Sequence, residues 1–357
     1  MINQTSFSRY SVQTTPKMFA FLSLLFLAWL FPSAIAAQSS VILVGSGSTV
    51  PVPLYRRWTE EFNKLSPNVQ MQYLPLGTEE GIRQISRDHG DFGAGEVPLT
   101  ASERTSANLL ELPVMLIGIV PIYNLPQVHQ EIRFSGGLLA DIFLGRVKTW
   151  NAPEIAQLNP DAALPDLPIR VIYRPAGKGT NYVFTDFLSK TSPRFRAKIG
   201  TDASPLWPVG TPAERSSDMA DAVKNAPGSI GYVELQYAQR GHLQYGLVLN
   251  RSGQWIKASP ATITAACQAI EAPQWDKFSA SLTNAPGEDS FPITSFTWVY
   301  VRTKNSDSRR AAALLQLLNW IFTDGQPLGE QLGYSELPKP LSEKARAKLN
   351  SLHQATQ

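Results

Sequence analysis

Apolar and polar positions along this chain follow two periods that take turns. "SVILVGSG" (40–47) reads as a strand that runs into a glycine turn. Leu54, Trp58, Phe62 and Leu65 then recur at helical spacing. "VQMQYLPLG" predicts a second strand ending in glycine, and "TEEGIRQISRDHG" a short helix after it. "DFGAGEVPLT" predicts a short strand and a loop. "LPVMLIGIVPIYNL" is apolar without a break, as a strand buried on both faces requires. "IRVIYRPAGKGT" repeats the order of strand, glycine loop and helix, with Val183, Phe184, Phe187 and Leu188 on the helix's apolar face. Late in the chain, "FPITSFTWVYVRT" reads as a strand and "RRAAALLQLLNWIFTDG" as a helix with Gly325 near its end. "GYSELPKPLSEKARAKLN" predicts a turn and an amphipathic C-terminal helix. The alternation predicts an α/β fold with largely parallel sheets.

Composition sharpens this picture at the ends more than in the middle. The chain has 357 residues, 43% of them hydrophobic and 17% charged. That suffices for a packed core and suggests two domains. Arg9 and Lys17 precede the apolar run "MFAFLSLLFLAWLF" (18–31), followed by Pro32 and "SAIAAQSS". Ala34 and Ala36 have the small-x-small spacing of a signal-peptidase site, so residues 1–36 are predicted to be a leader cut after Ala36. The run is shorter than the ~20 residues that span a bilayer. Removing Arg9 and Lys17 leaves 30 basic against 29 acidic residues of an original 32 and 29. A nucleic-acid partner is not expected from so even a balance. Cys267, the single cysteine, sits in the apolar stretch "ATITAACQAI" and reads as a buried small hydrophobe.

Three loops carry the candidate chemistry: "GSGSTVP", "LGTEEG" and "RPAGKGT". Each ends a predicted strand, opens a predicted helix, and can offer backbone N–H groups and hydroxyls at the positive helix end. One such loop is explained by N-capping alone. Three in one chain, one beside Arg174, point to convergence on an anion. A nucleotide is excluded. The phosphate loop of nucleotide hydrolases needs a hydroxyl after its lysine, but Gly179 follows Lys178, and its leading glycine is replaced by Ile172. His89, His129, His242 and His353 are scattered, and there is no Gly-x-Ser-x-Gly elbow. The paired acids Glu60/Glu61 and Glu79/Glu80 read as solvated helix faces. No catalytic residue, metal or cofactor is therefore expected.

"GSGSTVPVPLYRRWTEEF", "GIRQISRDHGDFGAGEVPLT", "LLADIFLGRVKTWNAPEIAQLNP", "RPAGKGTNYVFTDFLSK", "PGSIGYVELQYA" and "FPITSFTWVYV" come in this order, with "GYSELP" after them. Together they resemble the phosphate-binding proteins of bacterial phosphate ABC transporters. The resemblance implies a two-lobed periplasmic-binding-protein fold of type II, with two hinge strands and a cleft between the lobes. It implies lobe 1 at 37–119, lobe 2 at 120–290 and a return to lobe 1 at 291–357. It also implies a monomeric, non-enzymatic periplasmic protein that captures inorganic phosphate and delivers it to an inner-membrane ABC permease. The phosphate contacts implied are Thr49, Val50, Thr78, Glu96, Arg174, Lys178, Gly179 and Thr180. The acid, Glu96, would select phosphate, because protonated phosphate can donate to it and fully ionised sulfate cannot.

The sequence departs from the family at the cleft. Val50 replaces an aromatic, Thr78 a serine and Glu96 an aspartate. The second loop carries the extra acids Glu79 and Glu80, Lys178 replaces a serine, and Ala176 replaces the aspartate that pairs with the arginine. These changes predict that Lys178 faces Glu79 or Glu80 across the cleft. They also leave open a second reading: the same fold binding another oxyanion, or serving without ligand as a partner-binding or sensory module.

Overall fold

The structure is a computed structural model that describes residues 8–9, 40–270, 278–304 and 307–354. The predicted leader, apart from Ser8 and Arg9, lies outside the described residues.

Twelve strands follow in chain order: β1 (Val41–Gly47), β2 (Val69–Leu74), β3 (Phe92–Gly95), β4 (Leu109–Tyr123), β5 (Arg133–Phe134), β6 (Arg170–Tyr173), β7 (Thr211–Pro212), β8 (Ser229–Glu234), β9 (Gln244–Tyr245), β10 (Leu247–Leu249), β11 (Trp255–Ile256) and β12 (Thr294–Arg302). Eight of them form a continuous order β2-β1-β3-β12-β4-β8-β6-β7, with β9 also paired to β4; β11, β10 and β5 make a small separate sheet. Helices cover both ends of this order. Leu54, Trp58 and Phe62 of the helix Val52–Leu65 are buried, as the helical spacing predicts. Leu65, in its last turn, is 67% exposed instead.

The sheets are parallel at their flanks and antiparallel in the middle. β1 pairs parallel with β2 and β3, and β6 with β7 and β8. β12 runs antiparallel to β3 and β4, and β4 antiparallel to β8. The expectation of largely parallel sheets fails at β4 and β12 for a topological reason. β12 comes from the far end of the chain and slots between β3 and β4, antiparallel to both. The unbroken apolar run becomes β4, which is buried along almost its whole length. Residues Leu109–Gly118 pair with β12, and Ile119–Tyr123 pair with β8. β4 and the segment that leads into β12 are tied together where β4 changes partner, by Ile119 N–H donating to the Ile293 carbonyl at 2.8 Å.

Parallel strands with short turns into helices place their carboxyl ends at one crevice. The loops after β1, β2 and β6 issue from such ends, and they are the three that the sequence singled out; the loop after β3, which carries Glu96, joins them. Cys267 is fully buried in the helix Pro260–Gln268. Asn250 is also structural. Its side-chain amide donates to the carbonyls of Gly287, Glu288 and Ser290.

Candidate functional site

The first loop is held in shape by its backbone. Gly47 has φ +143°, and a Cβ there would lie 2.0 Å from the Ala94 carbonyl oxygen, so only glycine fits. Ser48 N–H donates to that same oxygen at 2.9 Å. The Tyr73 hydroxyl donates to the Ser48 carbonyl and the Tyr334 hydroxyl to the Val50 carbonyl, at 2.8 and 2.7 Å. The Val50 N–H is already committed to Ser48 Oγ at 3.1 Å, so the contact that the resemblance implies for it has a competitor within the loop.

The serines and threonines of the three loops do not act as caps. The helices Val52–Leu65, Thr78–Ser86 and Gly179–Thr191 all begin without a side-chain cap bond. A helix leaves its first N–H groups without intrahelical acceptors. The structural reason for hydroxyls at these helix starts is therefore not the one at work here; Thr49 accepts from Arg174, Thr180 has no partner among the described residues, and Ser48 and Thr78 are engaged together.

They converge on Glu96, which follows β3 and is fully buried. One carboxylate oxygen accepts from Ser48 Oγ at 2.6 Å and Thr78 Oγ1 at 3.1 Å. The other accepts from Thr297 Oγ1 at 3.0 Å. Burial pushes its pKa up to about 7, the hydroxyl donors oppose that rise, and the nearby carboxylate of Glu234 adds to it. Gly179 lies directly against this cluster. A Cβ on it would come 2.2 Å from Glu96 Oε2 and 2.7 Å from Thr78 Oγ1.

Arg174 enters from β6. Its loop is fixed by Asn181, whose amide donates to the carbonyls of Arg174, Pro175 and Ala203 at 3.1, 2.7 and 3.0 Å. The Arg174 N–H donates to the Tyr232 hydroxyl at 3.1 Å, and that hydroxyl donates to Asn181 Oδ1. Tyr232 itself stacks on Phe184. The guanidinium is 1% exposed. Nη1 donates to Ser216 Oγ at 3.1 Å, and Nη2 to Thr49 Oγ1 at 3.2 Å and the Glu214 carbonyl at 2.8 Å. Nε is buried with no partner among the described residues, and so is the hydroxyl of Thr180.

Thr49, Thr78, Glu96, Arg174, Gly179 and Thr180 are thus joined by direct contacts or buried at the same crevice. Lys178 requires a correction. Its Nζ pairs with Glu214 at 3.1 Å, not with Glu79 or Glu80. Glu79 bridges the crevice differently: its N–H donates to the Gly177 carbonyl at 3.3 Å, and its carboxylate accepts from Ser204 Oγ at 3.0 Å. Glu80 turns back along its own helix to Arg83 and Gln84. The helix i,i+3 geometry offers Glu80 a cation at no conformational cost, whereas Lys178 finds Glu214 on its own side of the crevice.

Ser48, Ser216, Glu234 and Thr297 are site residues that reasoning from sequence missed. Ser48 lies inside a quoted loop and Glu234 inside "PGSIGYVELQYA", so both had a local signal. Among the described residues no group of three or more potential metal ligands occurs.

Comparison with known proteins places the family and the fold. Residues 33–325 match the PBP superfamily domain. The chain is 34% identical to the phosphate-binding protein PstS of Xylella fastidiosa (strain 9a5c) over 317 residues, 88% of this chain and 87% of that protein. It is 33% identical to the phosphate-binding protein PstS of Pasteurella multocida over 325 residues, 90% and 93% of the two chains. Among solved structures, a putative phosphate ABC transporter substrate-binding protein with bound phosphate from Clostridium perfringens aligns with TM-score 0.62 at 16% identity, over 84% of this chain and all of that one. A high-affinity periplasmic phosphate-binding protein (PfluDING) aligns with TM-score 0.68 at 16% identity, over 86% and 93%. The fold is that of a two-lobed periplasmic binding protein. The chain belongs to the PBP superfamily and, within it, to the family of PstS phosphate-binding proteins.

Proposed function

We propose that this chain is a periplasmic, non-enzymatic binding protein that captures inorganic phosphate and delivers it to an ABC permease in the inner membrane. One observation carries the reading. Among the described residues, Arg174 Nε and Thr180 Oγ1 are buried donors without acceptors, at a crevice ringed by uncapped helix starts. Buried donors demand acceptors, and a tetrahedral oxyanion brings several. The ligand contacts proposed are Thr49, Thr78, Glu96, Arg174, Gly179 and Thr180, with Val50 and Lys178 at the margin.

Lobe 1 takes residues 37–119 and 291–357, and lobe 2 takes 120–290. The change of partner in β4 after Gly118 supports the first crossing. Ligand touches both lobes only when they meet, so binding shifts the population toward the closed form. The permease then reads the closed form of a monomer released by cleavage after Ala36. The names of the relatives support the ligand, and the residues in the crevice support its charge.

Calorimetry of the mature protein with phosphate, sulfate and molybdate tests this reading. Micromolar or tighter phosphate binding that disappears in Arg174→Ala is the expected result. Absence of binding to all three anions overturns it.

A further inference from the structure

We propose that Ser216 and Glu234 are positioning residues for Arg174, with Glu234 supplying the counter-charge of the guanidinium through the Ser216 hydroxyl. The binding consequence rests on the phosphate reading; the relay itself does not.

Among the described residues Arg174 forms no ion pair, although it is almost fully buried. A buried cation without a counter-charge is strongly disfavoured. The carboxylate it needs is one hydroxyl away. Arg174 Nη1 donates to Ser216 Oγ at 3.1 Å, and Ser216 Oγ donates to Glu234 Oε1 at 3.1 Å. The direction of this chain follows from chemistry. A guanidinium can only donate, so the Ser216 oxygen must accept, and its single proton is left for the carboxylate.

Both residues sit on firm ground. Ser216 is the first residue of the helix Ser216–Lys224, Glu234 is the last residue of β8, and both are buried. Glu234 also stands at the start of the helix Leu235–Arg240, but its side chain makes no cap bond there. Helix capping therefore does not explain its burial. Burial pushes its carboxyl up and the charge of Arg174 pulls it down, the electrostatic sign of a counter-ion held at short range.

The inserted hydroxyl keeps the carboxylate one bond away from the guanidinium. A carboxylate in bidentate contact would occupy the fork of the guanidinium and compete with any ligand anion. Through Ser216 the arginine keeps its orientation, while Nε remains without a protein partner. Thr49 and the Glu214 carbonyl hold the other arm, Nη2.

Ser216→Ala, Ser216→Thr and Glu234→Gln test the relay with two readouts. All three are close in size to the parent residue, and thermal melts verify that each folds. The first readout is solvent exchange of the Arg174 guanidinium protons by NMR without ligand. Exchange is expected to accelerate at least about tenfold in Ser216→Ala and Glu234→Gln and to return toward the parent rate in Ser216→Thr, which keeps the hydroxyl. The second is the Kd for inorganic phosphate, expected to rise about tenfold to a hundredfold in the first two variants. The Ser216→Ala/Glu234→Gln pair should cost little more than Ser216→Ala alone, because one chain is broken either way. Parent-like exchange in Ser216→Ala overturns the relay, whatever the ligand. A parent chain that takes up no phosphate overturns the phosphate reading and leaves the relay to be judged on exchange alone.

Discussion

Thr49 and Arg174 lie 125 positions apart in the chain, yet the arginine's Nη2 donates to the threonine's Oγ1 at 3.2 Å. That bond joins the loop after β1 to the loop after β6 and brings two helix starts to one place. Under the proposed division into lobes, this bond joins one lobe to the other through a proposed ligand contact. Ligand binding and lobe contact would then share the same atoms, which is the physical content of a ligand-driven closure.

Replacing Arg174 by alanine is expected to raise the Kd for phosphate about thirtyfold or more, because a buried charged donor is lost. Arg174→Lys is expected to recover only part of this. The three N–H donors of an ammonium radiate from one nitrogen and cannot reproduce the planar spread of Nη1 and Nη2 over these acceptors. Isothermal calorimetry at fixed salt checks both. An Arg174→Lys protein with the parent's Kd would show that charge alone, without the fork, serves the site.

Glu96 makes the ligand-free protein sensitive to pH. Its folded pKa of about 7 lies above the ordinary 4.5, so the folded chain holds a proton that the unfolded chain has released. The resulting stability is fully present below 4.5 and is lost as the pH rises to about 7. Glu234 and Glu111, also raised by burial, act with the same sign; Asp186, lowered by Lys190 and its hydroxyl donors against burial, acts with the opposite sign at lower pH. The Glu96 contribution is on the order of 3 kcal/mol. Denaturant melts of ligand-free protein should show stability falling across this window, and Glu96→Gln should flatten the fall. The same variant should bind sulfate better than the parent does, since the repelling carboxylate is gone.

The glycine loops were legible because backbone strain and helix starts leave local marks: Gly47, Gly77 and Gly179 stand where the chain must turn or approach closely. Arg174 was legible as the one arginine beside such a loop. Thr297 was not, because it sits in mid-strand within "SFTWVY" and reaches Glu96 across 201 positions, a separation that no spacing encodes. Glu234 lies inside the quoted motif "PGSIGYVELQYA", but nothing in the spacing marks it as buried, and only the fold shows it fully buried beside Ser216. Lys178 misled for the opposite reason. Charge patterning offered it Glu79 and Glu80, and the loop that carries Glu214 lies closer.

Lys178 should matter less than its place in the loop suggests. Its partner Glu214 is 69% exposed, and pairs of that kind contribute little. Lys178→Met is expected to change phosphate affinity by less than about fivefold at physiological salt. A loss as large as that of Arg174→Ala would instead place the ammonium in direct contact with the ligand.

Glu79 and Ser204 form a clasp across the mouth of the crevice. Ser204 Oγ accepts from Gly177 N–H at 2.9 Å and donates to Glu79 Oε2 at 3.0 Å. Glu79→Ala and Ser204→Ala should each speed phosphate release about two- to tenfold, the worth of one partly solvated bond. The double variant should add little to either single one. Stopped-flow measurement of release rates decides the matter, and fully additive effects would separate the two residues.

Gly179 offers the sharpest test of closure. Its neighbours cannot yield to a methyl group. Glu96 is held by three hydroxyls, and Thr78 is packed so tightly beneath Gly95 that a Cβ there would lie 2.2 Å from its methyl carbon. Gly179→Ala should therefore keep the lobes apart without disturbing either lobe alone. Phosphate affinity should fall about tenfold or more. The radius of gyration from small-angle scattering should stay the same with and without phosphate. Gly177→Ala is the control. Its φ of +80° strains the backbone, but its Cβ would meet only the Glu79 side chain, at ordinary van der Waals distances of 3.4 Å from Oε2 and 3.8 Å from Cβ. That variant should lose about 1 kcal/mol of stability and still contract on phosphate. Contraction of Gly179→Ala to the same extent as the parent would mean that the lobes meet by another path than the one through Glu96 and Thr78.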